Sequence, residues 1–387
     1  MTLPKPGHFD EQPPVPSPSA RQGKASEISP AQRAEEAGQA ERAEEAQQMR
    51  PERRPKPAYP VQQLRVPVAR PCPDGWFAVA SSAEMRPGRV VTRRLAGEDV
   101  VLYRTASGQL RAVRPFCPHL GAHLGHGGRV RGENLVCPFH HFEFGPQGAC
   151  VKTGYGTPAP KARLAALECR EVAGLVFVWR HARGEGSSWE IVAPPAEDFC
   201  QPYLTVRTLV AHPQDFMENV IDTGHFAPVH KIALKVIDAP RFDGPRMEAA
   251  YRLGRTLRTA DTPAPAGSSM RAVVQGLGIF FTESHVEKVG LDFRAWFCVV
   301  PLDATRIDLR LAVSLRFPRV PHRGAARALA TVLAGPLSWV STWDTNKDIR
   351  IWSNNTYLEH PRLAQGDGPI TKYRRWARQF YSDWPTG

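Results

Sequence analysis

The sequence predicts an α+β protein with two folded parts: a small antiparallel β domain, then a larger domain in which an antiparallel sheet packs with helices. Three observations carry this. Short apolar runs broken by Gly- and Pro-rich turns begin near Pro71 and continue to Trp179, the texture of a small β domain. Arg306 to Phe317 then places Ile307, Leu309, Leu311, Val313, Leu315 and Phe317 on one face. That period of two indicates a half-buried antiparallel strand. Helix-like stretches follow near 324–353 and 369–381, so strands and helices are segregated rather than alternating.

The elements follow in order. Residues 1–60 hold 11 of the 37 prolines and almost no large apolar side chains. Such a segment cannot bury enough surface to offset its ordering entropy, and a disordered tail is expected. Within it, Ser29-Pro30-Ala31-Gln32 reads as a capping box before a solvated Ala/Glu/Arg/Gln run. The small β domain is expected over 71–185. Its strands include Val90-Val91, Val100 to Tyr103, Gln109 to Val113 and the closing run Gly174 to Trp179. Polar residues 181–189 read as a linker. The second domain is expected over 198–387, opening with a strand from Tyr203 to Val210 and a helix from Pro213 to about Ala227. The strand at 306–317 pairs with Leu291 to Val300 through Leu302-Asp303-Ala304-Thr305.

Composition narrows the function classes. The 42% hydrophobic content is enough for real cores. Seven cysteines and no apolar leader in Met1 to Asp10 argue for a reducing, cytoplasmic setting rather than a secreted disulfide scaffold. No run reaches the roughly 18 apolar residues of a membrane span. Ala328 to Trp343 comes nearest and reads as a buried helix and turn, interrupted at Gly335-Pro336. The net charge is +12, and residues 1–60 hold nine basic and nine acidic residues, so the excess falls on the folded part. No nucleic-acid motif accompanies it, and a basic surface equally steers an acidic protein partner.

Two ligand runs lie in the Gly- and Pro-rich loops of the first domain: Cys117-Pro118-His119 and Cys137-Pro138-Phe139-His140. Each contributes one thiolate and one imidazole. A Rieske [2Fe–2S] centre needs this mixture, with both Cys on one iron and both His on the other. Zinc is the alternative, though zinc fingers usually pair Cys with Cys and His with His. His123, His126 and His141 read as supporting or solvated residues, and Cys150 as a small buried apolar one.

The second domain holds Asn219, Asp222, His225 and His230 in close succession. Asp222 and His225 are three apart and would share a helix face. His225 and His230 are five apart, about 140° from each other on a continuous helix. Pro228 is expected to break that helix and let both imidazoles converge. Two imidazoles and one carboxylate form the facial triad of non-haem Fe(II) oxygenases. By itself the spacing is equally compatible with a helix bearing ordinary Asp and His side chains. Beside a one-electron cluster it makes a complete chemical argument.

On these residues the chain resembles the oxygenase (α) subunits of Rieske non-haem iron oxygenases over roughly 70–385. It is most similar to the 3-ketosteroid 9α-hydroxylase oxygenase component and the cholesterol 7-desaturase group. The resemblance implies a Rieske domain followed by a helix-grip-type antiparallel sheet. It implies that Cys117, His119, Cys137 and His140 bind the cluster and that His225 and His230 bind a mononuclear Fe(II). Asp222 would be the carboxylate bridging the two centres, with Asn219 beside the iron. The third iron ligand would be Asp348, before Ile349-Arg350-Ile351-Trp352, with Asp344 the competitor one turn earlier. Gly366-Asp367-Gly368-Pro369 and Arg374 to Tyr381 also resemble the family's ending and read as a turn and a capping helix.

The chain departs from the family's pattern in three places. His141-Phe142 follow the second cluster His where relatives often carry a small or acidic residue and Trp. Leu120 stands where many relatives carry a basic residue. A polar, Pro-rich tail stands where the animal 7-desaturases typically carry a membrane helix.

The resemblance further implies a monooxygenase that hydroxylates or desaturates an apolar polycyclic substrate, a steroid or sterol, with O2 as co-substrate. Electrons would come from NAD(P)H through a separate ferredoxin reductase or ferredoxin, because Gly276-Leu277-Gly278 lacks the third glycine of a dinucleotide fingerprint. A homotrimer is expected. Phe280, Phe281, Phe293, Trp296 and Phe297 are candidates for the pocket lining. The alternatives are oxidative sterol demethylation, aromatic-acid oxygenation, or a Rieske electron carrier without oxygenase chemistry.

Overall fold

The first strand sets the plan, because its two faces serve different cores. In a computed structural model, which describes residues 70–195, 198–255 and 268–383, β1 spans Gly75–Ser81. Even-numbered Trp76 and Ala78 pack towards the C-terminal lobe, and Phe77 and Val79 pack into the N-terminal lobe. The expectations for the tail, including its capping box, fall outside the described residues.

The N-terminal lobe continues with β2 (Val90–Leu95), β3 (Glu98–Arg104), β4 (Leu110–Val113), β5 (Arg129–Arg131), β6 (Asn134–Val136), β7 (Glu143–Phe144), β8 (Cys150–Lys152), β9 (Ala166–Leu167), β10 (Cys169–Val172) and β11 (Leu175–Arg180). They form three antiparallel sheets, ordered β1-β11-β10, β2-β3-β4-β9 and β5-β6-β7-β8. The two Cys/His runs occupy the β4–β5 and β6–β7 loops. Beneath them Leu124, Leu135, Phe142, Phe144 and Leu164 form one apolar cluster with Cys117, Cys137 and Cys150.

The C-terminal lobe is a seven-stranded antiparallel sheet. Its strands are β12 (Tyr203–Val210), β13 (Ile232–Asp243), β14 (Arg246–Arg255), β15 (Ser268–Gln275), β16 (Ile279–Val286), β17 (Leu291–Pro301) and β18 (Arg306–Arg316). Their order is β12-β18-β17-β16-β15-β14-β13. The expected hairpin is present: Phe297 pairs with Leu311, and Asp303 accepts from the backbone N–H of Thr305 and Arg306 to close the turn.

The expected half-burial of β18 is corrected. Ile307, Leu309, Leu311, Val313 and Leu315 face the helices, but Arg310, Ala312 and Ser314 on the other face are buried as well. Ala312 joins Phe281, Trp296 and Cys298 against Trp76, Leu175 and Phe177 of the first lobe. The strand alternates because of its pleat, yet both sides find apolar cover.

Three helices complete the lobe: α1 (Pro213–Glu218), α2 (Arg323–Trp352) and α3 (Ile370–Ala377). The reading of Ala328 to Trp343 as a buried helix and turn is also corrected. α2 runs unbroken for 30 residues, about 45 Å, with Pro336 inside it. Proline deprives the carbonyl four residues earlier of its partner. That residue, Val332, is 71% exposed, so water can satisfy the freed group. Ala330, Ala334 and Ser338 face the sheet, while Leu329, Val332, Trp339, Val340 and Trp343 face outward. Among the described residues, no helix is long and apolar enough to cross a membrane.

Candidate metal centres

The first ligand set is built by loops folding over close backbone approaches. Gly121 N–H donates to the Cys117 carbonyl and Cys137 N–H to that of Phe142, each at 2.9 Å. A β-carbon on Gly154 would lie 2.2 Å from the His140 carbonyl oxygen, and one on Gly128 would lie 2.0 Å from that of Leu124. Only glycine permits these contacts. Cys117 and Cys137 are buried, and His119 and His140 reach towards the surface with ring centroids 4.9 Å apart. His119 stacks on Phe142 at 4.3 Å, which fixes its plane. Around the imidazoles lie exposed Phe116, Leu120, Phe139 and Tyr155.

Burial, with the Cys137 sulfur adjacent, pushes the Cys117 thiol up to about 11. Such a pair ionises readily only with a cation in place. The other histidines turn elsewhere. His123 meets Asp99 at 3.3 Å, and His126 and His141 are exposed. Cys150 is buried in the apolar cluster, as expected.

Zinc fits this set less well. A tetrahedral zinc, with bonds of about 2.0–2.3 Å, draws its four ligating atoms into one tight group. Among the described residues, the set of three or more His, Cys, Asp or Glu whose ligating atoms lie within 4.8 Å of one another is His225, His230 and Asp348. The Cys/His runs are arranged instead as a thiol pair and an imidazole pair, which suits two irons.

The second set is assembled from separate segments. α1 begins at His212, whose Nδ1 accepts from the Gln214 N–H at 3.2 Å as a side-chain cap. The helix expected to reach Ala227 ends at Glu218. Tyr373 on α3 donates its hydroxyl to the Gln214 carbonyl at 2.7 Å, and Arg374 forks onto Glu218 at 2.6 and 2.8 Å. Asp222 therefore lies in an irregular turn, not on a helix face shared with His225. A π-helical turn follows over Phe226–His230. Pro228 lies inside this turn rather than breaking a helix. Because a π-turn closes between residues five apart, it brings His225 and His230 to the same side. Their ring centroids are 5.2 Å apart.

The polar geometry gives each imidazole two distinct ends. His230 Nε2 lies 3.1 Å from Asp348 Oδ1, and its Nδ1 lies 3.0 Å from Asp344 Oδ2. The latter is an ion-pair approach off the line of a hydrogen bond. His225 Nε2 lies 3.2 Å from Asn219 Nδ2, and its Nδ1 lies 3.4 Å from Asp222 Oδ2. Asp348 is 5% exposed. Burial acts to lower the pKa of His230, but the two carboxylates outweigh it and raise it to about 9. Burial also acts on Asp344, whose pairing with His230 and Lys347 prevails and lowers its carboxyl pKa. Two imidazoles and a buried carboxylate clustered in this way could hold a divalent metal and leave coordination positions open.

The aromatic candidates separate by parity. Phe280 and Phe297 stack at 5.2 Å on the helix face of the sheet, where Phe216 reaches both Phe297 and Trp352. Phe281 and Trp296 point the other way, into the core shared with the N-terminal lobe, so they cannot line a pocket beside Asp348. Phe293 packs under α2. Sequence reasoning missed the part played by the C-terminal turn. Thr223 donates to the Gly366 carbonyl at 3.0 Å, and a β-carbon on Gly368 would meet the Ile221 carbonyl at 2.1 Å. Its glycines were the available signal. A cavity of about 180 Å³ opens beside Asp99, Arg114 and His181 and contains neither ligand set.

Known proteins match both folded parts of the chain. Residues 75–166 match the Rieske [2Fe-2S] domain, and residues 178–381, more than half the chain, match the 3-Ketosteroid 9alpha-hydroxylase C-terminal domain. Cholesterol 7-desaturase nvd of Bombyx mori is 30% identical over 325 residues, covering 81% of this chain and 70% of that protein. The 3-ketosteroid-9-alpha-monooxygenase oxygenase component of Rhodococcus rhodochrous is 26% identical over 323 residues, covering 80% and 84%. Among solved structures, NdmA QL mutant of Pseudomonas putida CBB5 with caffeine superposes with a TM-score of 0.61 at 18% identity, covering 78% and 89%. Dicamba monooxygenase bound to dicamba gives 0.57 at 16%, covering 79% and 96%. At those identities the two structures show the shared fold. With a Rieske domain followed by this C-terminal domain, the chain belongs to the oxygenase α subunits of the Rieske non-haem iron oxygenases, oxidoreductases in a branch related to 3-ketosteroid 9α-hydroxylase and cholesterol 7-desaturase.

Proposed function

We propose that the protein is the terminal oxygenase for an apolar polycyclic substrate, a steroid or sterol, and that it hydroxylates or desaturates it. The observation that carries the reading is the joint presence of a Cys/His pair set and the His225/His230/Asp348 set in one chain. The activities of the two kinds of relative, on 3-ketosteroids and on cholesterol, support the substrate class. The Phe216, Phe280, Phe297 and Trp352 cluster, whose Trp352 lies one helical turn beyond Asp348, is apolar enough to suit it.

In this reading Cys117 and Cys137 hold one iron of the cluster and His119 and His140 the other. His225, His230 and Asp348 hold the mononuclear Fe(II). When bound, the two groups supply electron transfer and dioxygen activation. Asp222 lies 3.4 Å from His225 Nδ1, an ion-pair approach on the side of the ring away from Nε2. Asn219 presents its amide on that same side. For hydroxylation the balance takes one oxygen atom to the substrate and one to water, with two electrons and two protons. The electrons come from NAD(P)H by way of a separate reductase or ferredoxin, and the basic surface suits an acidic one. Asp222, 34% exposed, would connect with a neighbour's cluster in a homotrimer. A cytoplasmic location goes with the reading.

The test is reconstitution with a surrogate reductase under O2, following product from 3-ketosteroids, sterols and aromatic acids. Iron near three per subunit and product from a steroid or sterol are expected. Iron near two, with no oxygen-dependent product from any class, would leave the electron-carrier reading. Product only from aromatic acids would overturn the substrate class.

A further inference from the structure

We propose that Asp344 is a positioning residue for the mononuclear metal: it holds His230 by Nδ1 while Nε2 faces the metal position. The inference rests on His225, His230 and Asp348 being the metal ligands.

The two carboxylates on α2 approach the same imidazole from opposite ends. Asp348 meets Nε2 at 3.1 Å and Asp344 meets Nδ1 at 3.0 Å. The two nitrogens of an imidazole diverge, so a single metal bound at Nε2 cannot also take a carboxylate lying against Nδ1. The geometry therefore assigns the two aspartates different tasks, although one helical turn separates them and either could be chosen from the sequence. Ligating histidines generally give their second N–H to a carboxylate or carbonyl, which fixes the tautomer and raises ligand basicity. His225 already has Asp222 at its Nδ1, at 3.4 Å. Asp344 gives His230 the matching carboxylate, as an ion-pair approach to Nδ1 off the line of a hydrogen bond.

Lys347 completes the arrangement. Its ammonium lies 2.6 Å from Asp344 Oδ1, which leaves Oδ2 for the imidazole. It also stands 4.6 Å over the ring of Trp343, one of the outward-facing side chains of α2. Residues 343, 344, 347 and 348 thus connect the outer surface of one helix to a metal ligand. Lys347 offsets the charge of the second carboxylate, so Asp344 can remain ionised next to Asp348 without leaving the site with two uncompensated negative charges.

The experiment uses the full chain with its [2Fe–2S] cluster retained and the mononuclear metal removed by chelation. Co(II) is then titrated and its visible spectrum followed in wild type, Asp344→Asn, Asp344→Glu and Asp348→Asn. The thermal transition of each metal-free form is recorded alongside. Asp344→Asn is expected to bind Co(II) about 10–100-fold more weakly, with the metal-free transition unchanged and Asp344→Glu recovering part of the loss. Asp348→Asn is expected to abolish the spectrum. If wild type and Asp348→Asn bind alike, the ligand assignment itself fails. If wild type binds, Asp348→Asn does not, and Asp344→Asn matches wild type, the positioning role is refuted. A loss in Asp344→Asn as complete as in Asp348→Asn would make Asp344 a ligand and equally overturn the proposal.

Discussion

Acid should loosen the mononuclear site through a residue that touches no metal. His212 caps α1, is 4% exposed, and is held neutral by its bonds. Its Nε2–H donates to the Pro71 carbonyl at 3.1 Å, and Nδ1 accepts from the Gln214 N–H. Burial, reinforced by the Arg70 guanidinium, lowers its pKa from 6.5 to about 4. A histidine with a depressed folded-state pKa favours the fold while it is neutral. Its contribution is complete above about pH 6.5 and is lost as pH falls towards 4. The span from 6.5 to about 4 is worth about 3 kcal/mol. Between pH 7 and 5 about 2 kcal/mol of that should disappear.

The carboxylates of the chain also respond to acid, so the comparison must isolate His212. His212→Asn can still cap the helix but does not titrate. Urea unfolding at pH 7 and pH 5 should show wild type losing about 2 kcal/mol more than the variant. Parallel losses would refute the assignment of the cap to a neutral imidazole. Because α1 leads directly to Asn219 and the His225 turn, mononuclear metal retention at pH 5 should follow the same order.

Asp348→Asn should lower iron from near three to near two per subunit while leaving the cluster absorbance unchanged, measured by metal analysis and visible spectroscopy. Asp222→Asn should retain both metals yet lose coupled turnover; unchanged turnover would rule out its bridging role. Gly154→Ala forces a β-carbon towards the His140 carbonyl, 2.2 Å away in the native geometry. Overpacking of this kind costs about 1–3 kcal/mol, and cluster absorbance per chain should fall with the thermal transition. Arg374→Met leaves Glu218 unpaired in a largely buried position and should cost about 3–5 kcal/mol in denaturant unfolding. Adding Glu218→Gln should restore part of it.

Much of this could be read from local pattern. C-x-H and C-x-x-H need only a short loop each, so candidate cluster ligands could be named without a fold. The β17–β18 hairpin followed from alternation and a turn whose Asp303 bonds its own backbone. What escaped the sequence depends on distant contacts. The far face of β18 is buried because Trp76 and Phe177 reach it from another lobe. Phe280 and Phe281 are adjacent in sequence and opposite in space, so choosing pocket residues required the sheet's orientation. Pro336 did not break α2, and the carbonyl it orphans belongs to Val332, an exposed residue. The backbone between His225 and His230 was expected to be a broken helix, whereas it is a π-turn that achieves the same convergence without a break.

The two metal sets consequently differ in how they respond to change elsewhere. Cys117, His119, Cys137 and His140 lie on two loops of one lobe, within 24 residues of chain, and glycines that admit neighbouring backbone shape those loops. Their geometry is set nearby. His225, His230 and Asp348 depend on a short helix capped by His212, a π-turn, and a helix ligand more than a hundred residues downstream. α3 and the Gly366–Pro369 turn hold the short helix and the turn after it in place through Tyr373, Arg374 and the close approach of Gly368 to Ile221. The mononuclear site is therefore the less locally determined of the two. Substitutions at Gly368, Tyr373 and Arg374, whose contacts are with α1 and the turn after it, should reduce mononuclear metal binding before they affect the cluster.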